Sequence, residues 1–228
     1  MSAQTRNYRS YADLPDVVPV FPLPGALLLP RGVMPLNIFE PRYLAMVDKA
    51  LGGDRLIGMI QPAEIADPSA ASETSPALQK VGCLGRLSGF QETDDGRYLI
   101  SLTGVCRFDV IDEVTSITPY RLCQISCERF ADDMKPEGED GAVNRASLLK
   151  TFADYLEANN LDADWESIER ASDETLVNAF SMMSPYGPVE KQALLEADCL
   201  RTRAELLIAI TERDLASSGA STGSSSLQ

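Results

Sequence analysis

Prolines and short apolar segments alternate near the N-terminus and predict extended chain that leads into a helix. Five prolines, at positions 19, 22, 24, 30 and 35, interrupt the apolar residues of segment 17–39. Proline fixes φ and has no N–H donor, so this segment cannot be helical and should contain edge or bulged strands. Pro41 then suits a first helical turn, and apolar residues follow at helical spacing as far as Gly52 and Gly53. The pattern predicts a change from strand to helix at residues 39–43.

The next stretch of the chain reads as a series of short strands. Apolar runs at 55–61, 80–91, 97–102, 105–111 and 120–130 alternate with polar residues, and a loop rich in Pro, Ala, Ser and Glu occupies 62–76. The turn Thr93-Asp94-Asp95-Gly96 separates two of these runs, and Asp-Gly is a strong hairpin signal. Several closely spaced short strands favour a small barrel or sandwich over a parallel sheet.

Helical periodicity replaces the strand pattern after an acidic segment with Gly and Pro at 131–141. Apolar residues recur at helical spacing in five stretches between 142 and 214, and the Ser- and Gly-rich end has no core-forming residues. We therefore expect an N-terminal tail (1–14), a β-rich domain (15–130), an acidic linker (131–141), a helical bundle (142–214) and a disordered tail (215–228).

Composition points to a cytoplasmic protein with reduced thiols. The N-terminal residues are polar and do not resemble a signal peptide, and no apolar run approaches the ~20 residues of a membrane span. Five cysteines form an odd set in mostly apolar surroundings, which argues against a disulfide framework. Cys123 and Cys127 could be a metal half-site, but without histidine or a second close cysteine pair, core packing on one strand face is the favoured interpretation.

Net charge weighs against a nucleic acid partner. The chain carries a formal charge of −14, of which −11 falls after residue 130, whereas nucleic acid binding requires a basic surface. A solvated helical surface is the main explanation for the acidic second half, and attraction of basic or partly unfolded partners is the functional alternative.

Most catalytic chemistry is missing from the residues. The chain has no histidine, which excludes imidazole bases and Ser-His-Asp triads, and it lacks the P-loop pattern for nucleotide binding. A Ser-Lys dyad is not indicated, because none of the serines lies in the tight glycine turn that would expose a nucleophile to one of the five lysines. The paired acidic residues fall at turns or strand ends, where solvated charge is usual. We expect no catalytic residue, no metal and no cofactor.

Five sequence blocks resemble the Lon protease N-terminal domain, the family of LON substrate-binding domains. In order they are VFPLPGALLLPRGVMPLNIFEPRYLAMVDKAL, LIGMIQ, VGCLGRL, GRYLISLTGVCRFDVIDE and, among the helices, NAFSMMSPYGPVEKQALLEADCLRTRAELLIAI. The resemblance implies an α+β fold: an N-terminal PUA-like antiparallel β pseudo-barrel with one inserted helix, followed by a C-terminal α-helical bundle. It also implies contact with unfolded or tagged polypeptide. The ATPase and peptidase domains of the full protease are not matched here.

Five residues are candidates for polypeptide binding. Phe39, Arg42 and Tyr43 carry the family turn, although packing of Phe39 and Tyr43 across the junction and pairing of Arg42 with Glu40 are the stronger expectations. Arg86 and Arg107 alternate with apolar residues, so we expect them to face solvent, with a groove-lining role as the alternative.

The favoured hypothesis is a non-catalytic polypeptide-binding module in protein quality control. It would act through an apolar groove between sheet and helices, with strand addition at a proline-protected edge as a further mode. The alternatives are a regulator or scaffold acting in trans on a full-length protease, and a peptidase of unrecognised type. We expect neither nucleic acid nor membrane as a partner.

Overall fold

The computed structural model describes residues 8–63, 76–135 and 143–222, with side chains up to residue 217. The chain divides into two compact units. The sheet unit contains the chain up to Lys135 together with Tyr186–Leu195, and the helical unit contains Pro136–Pro185 and the chain from Glu196 onward.

The sheet unit is built on six strands within the described residues. Their order in the sheet is β2-β5-β4-β3-β1-β6, and β5 also pairs with β6, so five of the strands close into a ring and β2 extends from it. All pairings are antiparallel except that of β1 with β3, which is parallel. The strands are β1 Val17–Pro22, β2 Val33–Ile38, β3 Leu56–Ile60, β4 Val81–Glu92, β5 Tyr98–Val114 and β6 Arg121–Ser126.

The α+β class predicted from the sequence is confirmed, with one parallel pair in a sheet that was expected to be antiparallel throughout. A parallel pair needs a long crossover connection. The chain supplies one between β1 and β3, where it forms β2 and the helix α1 (Pro41–Leu51). The predicted change from strand to helix at Pro41 and the hairpin at Gly96, whose φ is +78°, are both present.

The core of the sheet unit depends on one very close backbone approach. Val20, Leu29, Leu84 and Phe108 are completely buried. At Gly104 in β5, an added Cβ atom would lie 2.0 Å from the carbonyl oxygen of Leu29. Only glycine permits this contact, so the loop after β1 can lie directly on β5.

One helix from the C-terminal part of the sequence lies against the sheet. Residues 188–195 of α5 (Pro188–Glu196) belong to the sheet unit. The buried Gln61 side chain donates to the Pro188 carbonyl (2.9 Å) and to Oε1 of Gln192 (3.2 Å), and Gln192 donates to the Val81 carbonyl (3.1 Å). Buried amides are stable only when hydrogen bonded, so this network holds α5 on the strands.

The helical unit contains α2 (Arg145–Ala158), α3 (Trp165–Arg170), α4 (Asp173–Met183) and α6 (Leu200–Thr222). Helix α6 packs against α2 and α4. The rings of Phe152 and Phe180 are stacked with centroids 3.5 Å apart, and Arg145 pairs with Asp173 at 2.7 Å. Short helices need such tertiary contacts to persist. None of the helices in the described ranges is long and apolar enough to cross a membrane.

Three segments expected to lie outside the domains are partly structured. In the N-terminal segment, the Tyr8 hydroxyl donates to the Asp54 carbonyl (2.7 Å) and Leu14 is buried. A kinked 3-10 helix, Glu128–Met134, occupies the start of the expected acidic linker. Helix α6 runs to Thr222, past the expected start of the tail at 215, because extending an existing helix costs far less than starting one. Residues 1–7, 64–75, 136–142 and 223–228 of the expected tails, loop and linker lie outside the described residues.

Candidate functional site

The predicted turn at residues 39–43 is built around a buried tyrosine. Tyr43 is 7% exposed and its ring packs on Phe21, with the centroids 4.2 Å apart. Burial raises the pKa of the Tyr43 hydroxyl. Arg42 stays exposed, lies 4.5 Å from the centroid of the Tyr43 ring and pairs with Glu40 at 2.8 Å. The expected packing of Tyr43 and pairing of Arg42 with Glu40 are therefore present.

Phe39 does not pack across the junction as expected. Its side chain is 63% exposed, and the guanidinium of Arg97 lies 6.0 Å from its ring centroid. The neighbouring Ile38 takes the inward position at the end of β2 and is buried. Because successive side chains of a strand point to opposite faces, Phe39 follows Ile38 onto the outer side.

Phe39 lies at the end of a strand edge that carries apolar side chains, here called the β2 edge (residues 33–39). Val33 is 57% exposed, and Leu99 of the neighbouring strand is 42% exposed. Among the described strands β2 pairs with β5 alone. Its other side therefore presents backbone groups that no strand in the described ranges covers.

The hydrogen-bond pattern identifies the backbone groups on the open side of β2. The N–H of Gly104 donates to the carbonyl of Gly32 (2.8 Å). Alternate residues of an antiparallel strand face the same neighbour, so the backbone groups of 34, 36 and 38 face β5 as well. The groups of Val33, Pro35 and Asn37 point away from β5, and Pro35 contributes only its carbonyl because it has no N–H.

Arg107 is buried, which corrects the expectation that it faces solvent. It is 4% exposed and pairs with Asp133 through Nη2 at 2.8 Å and Nε at 2.9 Å, while the Arg107 backbone N–H donates to the same carboxylate at 2.9 Å. Its Nη1 donates to the Leu195 carbonyl (3.0 Å). Burial opposes the charge, but the hydrogen bonds and the charge of Asp133 outweigh it and the pKa of Arg107 is raised. Asp133 belongs to the acidic pair Asp132-Asp133, which was expected at a solvated turn or strand end, but it is only 9% exposed for the same reason.

The position of Arg107 leaves its side chain almost no exposed surface for a bound polypeptide. Alternation along β5 predicted an outward side chain, since Cys106 and Phe108 on either side point inward. In the structure, the side of β5 that carries Arg107 is covered as well, by Phe130 and Asp133 of the Glu128–Met134 helix and by Leu195 of α5. Strands covered on both faces do not obey the rule of polar residues outside.

Arg86 lines a cleft of about 580 Å³ in the sheet unit, here called the arginine cleft. Two further arginines, Arg31 and Arg55, line it as well, and Asp133 is the acidic residue in its wall. The complete lining is Tyr8, Arg31, Arg55, Arg86, Leu87, Ser88, Thr103, Gly104, Val105, Asp133 and Met134. The cleft therefore concentrates positive charge on a chain with a net charge of −14.

The three arginines of the cleft differ in their partners. Arg31 donates through Nη1 to the Asp133 carbonyl (2.7 Å), which fixes its side chain against the 3-10 helix. Within the described residues, the guanidinium groups of Arg55 and Arg86 form no hydrogen bond or ion pair. Arg31 and Arg55 have φ of 65° and 58°, so each sits at a sharp turn of the backbone. Neither residue could be recognised from the sequence, because strand periodicity gives no information about arginines in loops.

The buried cysteines are poorly suited to nucleophilic chemistry or metal binding. Cys106, Cys123 and Cys127 are buried as free thiols. A hydrogen bond with Cys127 and burial raise the pKa of Cys106, and burial together with Glu113 raises that of Cys123 to about 11. Thiols with raised pKa values are poor nucleophiles and ligands. No group of three metal-ligating side chains occurs in the described part of the chain.

Lys191 of α5 is more buried than its charged sequence neighbours suggest. It is 9% exposed, and desolvation lowers the pKa of its ammonium group. A lowered pKa is the property that a lysine general base requires. Lys191 is therefore the lysine against which a peptidase activity should be tested.

The candidate residues thus fall into three places. Phe39, Arg42 and Tyr43 lie together at the junction of β2 and α1, Arg86 lies in the arginine cleft, and Arg107 lies in the core.

Comparison with known proteins identifies one family over most of the chain. The model of the ATP-dependent protease La (LON) substrate-binding domain matches residues 17–213. Lon protease 2 of Myxococcus xanthus is 25% identical over 205 residues, which are 88% of this chain and 24% of that protein. Lon protease 2 of Sorangium cellulosum is 28% identical over 207 residues, 88% of this chain and 25% of that protein. The chain spans about a quarter of the length of these relatives.

Two solved structures have the same fold. A Lon N-terminal domain protein from Xanthomonas campestris matches with a TM-score of 0.58 at 22% identity, covering 85% of this chain and 97% of that one. The N-terminal domain of the Mycobacterium avium complex Lon protease matches with a TM-score of 0.61 at 18% identity, covering 86% and 98%. The matched family model covers the substrate-binding domain and neither the ATPase nor the peptidase domain of the protease.

Proposed function

The chain belongs to the LON substrate-binding domain family, and from this premise we propose that it is a non-catalytic module that binds unfolded polypeptide in protein quality control. It acts in the cytoplasm, where reducing conditions keep its five cysteines as thiols. It recognises an extended segment of the client chain and does not cut it.

The β2 edge is the observation that supports this proposal. An extended peptide added beside β2 would pair with the outward carbonyls of Val33, Pro35 and Asn37 and with the N–H groups of Val33 and Asn37. Main-chain hydrogen bonds of this kind are independent of sequence, which suits a module that meets many unfolded clients. The exposed side chains of Val33 and Phe39 add apolar contact for the client's own side chains.

Pro35 limits the pairing at this edge. Proline in an edge strand removes one donor from the middle of the row, and such interruptions protect edges from uncontrolled pairing with other chains. A client therefore binds through two short stretches around residues 33 and 37 rather than one continuous ladder. Weak and reversible binding is the expected consequence.

A full-length Lon protease is the partner that fits this role. The two relatives described above are Lon proteases about four times the length of this chain, and the family model that matches the chain is that of the LON substrate-binding domain. A module that binds clients and shares this domain can deliver polypeptide to such a protease or regulate it. Co-purification with the protease, in the presence and absence of an unfolded client, tests this part of the proposal.

Binding of a permanently unfolded polypeptide of near-zero net charge tests the client interaction. With a fluorescent label, the full chain should show saturable binding with a Kd tighter than about 1 mM. The double variant V33D/F39D places charge on the β2 edge, and N37P removes its outward N–H without affecting the β5 side. Both should weaken binding about five-fold or more.

The matched control is I117D, because Ile117 is a fully exposed apolar residue in the loop after β5. This variant should bind like the unsubstituted chain. Absence of saturable binding, or equal loss in I117D, would contradict the proposal.

A peptidase remains the alternative from another class, and Lys191 gives it a concrete test. Casein incubated with the chain alone, without nucleotide, should stay intact on a gel. Degradation that disappears in K191M would replace the binding module with an enzyme, since lysine bases act through a lowered pKa.

A further inference from the structure

We propose that the arginine cleft binds carboxylate groups of a polypeptide, either acidic side chains or a free C-terminus. This inference rests on the proposed polypeptide-binding function and adds a preference in the client. The cleft lies on the sheet unit and is lined by residues other than those of the β2 edge.

The charge of the lining is the first argument. Arg31, Arg55 and Arg86 face one carboxylate, that of Asp133, and this carboxylate is already bound on both oxygens by the buried Arg107. Within the described residues, the guanidinium charges of Arg55 and Arg86 therefore have no carboxylate partner. On a chain with 34 acidic and 20 basic residues, most exposed arginines would be expected to find an acidic partner.

The geometry of the guanidinium groups is the second argument. Arg55 and Arg86 make no ion pair within the described residues, and Arg31 is held in place by the Asp133 carbonyl. A guanidinium presents a planar fork of donors that matches a carboxylate in a bidentate pair. Arg55 and Arg86 thus provide guanidinium donors for an oxyanion in the cleft.

The shape of the cleft fits a peptide segment. Its volume of about 580 Å³ lies within the range of ligand sites. Strand β4 pairs with β3 only as far as Arg86, so residues 88–92 of β4 have β5 on one side and no described strand on the other. An extended chain can therefore run beside β4 while its carboxylate reaches Arg55 and Arg86.

Long-range electrostatics favours a carboxylate over a polyanion. Nucleic acid or another extended polyanion would meet the repulsion of a surface with a net charge of −14. A single carboxylate inside the cleft interacts mainly over distances shorter than the Debye length, about 8 Å at physiological salt. The electrostatic energy of the bound carboxylate then comes mainly from the arginines of the cleft, because salt screens the distant acidic residues.

A pair of neutral host peptides tests the inference on the full chain. One carries two adjacent glutamates and the other two glutamines, and each is made with a free and with an amidated C-terminus. The glutamate peptide should bind about ten-fold more tightly than the glutamine peptide in low salt, and this ratio should fall as salt is added. The amidated forms separate the contribution of side chains from that of the C-terminus.

The variants R55Q/R86Q and R170Q/R201Q form a matched pair, because each removes two positive charges. Arg170 and Arg201 are exposed helix residues of the helical unit, outside the cleft. R55Q/R86Q should abolish the preference for carboxylate and R170Q/R201Q should keep it. Circular dichroism checks that both variants are folded. If R55Q/R86Q does not fold, R86Q alone replaces it in the test and should reduce the preference for carboxylate.

The outcomes separate this inference from the proposed function. If the neutral unfolded polypeptide binds but no form of the peptides shows a carboxylate preference, the inference is wrong and the binding module stands. If R170Q/R201Q loses the preference equally, the effect comes from net charge and the cleft is not the site. The inference would also be wrong if inorganic phosphate binds in the cleft while the peptides show no preference for carboxylate. No binding of any polypeptide would overturn both.

Discussion

Removing one partner of the buried pair of Arg107 and Asp133 should destabilise the sheet unit more than breaking an exposed ion pair of the chain. Both side chains are less than a tenth exposed, and three N–H groups of Arg107 donate to the one carboxylate. The substitution Asp133→Asn keeps the size of the side chain. It removes the negative charge and replaces an accepting oxygen with an NH₂ group that faces other donors.

The expected cost of D133N is about 3–5 kcal/mol in the free energy of unfolding, because a buried charge is left without its partner. For a chain of this size, such a loss lowers Tm by roughly 6–20 °C. The matched control is D132N at the neighbouring position, where the side chain is 73% exposed and pairs with Lys135 at 3.0 Å. An exposed pair of this kind contributes less than about 1 kcal/mol.

Urea denaturation followed by far-UV circular dichroism measures both variants. The sole tryptophan, Trp165, lies in the helical unit, so its fluorescence does not follow the sheet unit. The double variant R107M/D133L should lose less free energy of unfolding than the single variants R107M and D133L lose together, since removing both charges leaves neither one unpaired. If the free energies of unfolding of D133N and D132N differ by less than about 1 kcal/mol, burial does not determine the cost of losing the Asp133 charge.

Two further predictions concern single residues. G104A should lower the free energy of unfolding by about 3 kcal/mol, because the new methyl group would lie 2.0 Å from the Leu29 carbonyl oxygen. G96A, with a φ of +78° but open space, should cost only about 1 kcal/mol in the same urea titration, and equal losses would refute the packing argument. Cys199 is the cysteine that is not buried, and a hydrogen bond from the Thr202 hydroxyl lowers its pKa. Iodoacetamide should therefore modify it first in the native protein, at a rate that rises with pH through a pKa below that of free cysteine. T202V should slow the reaction near neutral pH, and mass spectrometry that finds another cysteine modified first would contradict this.

Local features of the fold could be predicted wherever neighbouring residues decide them. Pro41 begins α1 because its missing N–H is not needed in a first turn, and Gly96 supplies the left-handed φ of the hairpin. The helical spacing after residue 142 predicted helices that the structure contains. The assignment of Tyr43 to the junction also held, since its position one turn into α1 directs the ring at β1.

Features of the candidate site that depend on distant segments could not be predicted in this way. Arg107 was expected to face solvent because alternation along a strand assigns each side chain either to the core or to the opposite face. Nothing in the neighbouring sequence indicates that α5 and a 3-10 helix cover that opposite face. Arg31 and Arg55 come from two loops. The pairing of β3 with β4 places Arg55 beside Arg86, and the hydrogen bond from the Arg31 N–H to the Gly104 carbonyl places Arg31 on the neighbouring strand β5.

The amino-acid sequence alone thus determined the family, the order of strands and helices and the absence of histidine chemistry, because each of these depends on residue identity and short-range spacing. The tertiary structure decided which charges are buried and which are available to a partner. Burial and electrostatic pairing depend on what the rest of the chain places within a few ångströms, and for Arg107, Asp133 and the three arginines of the cleft those neighbours come from distant parts of the sequence.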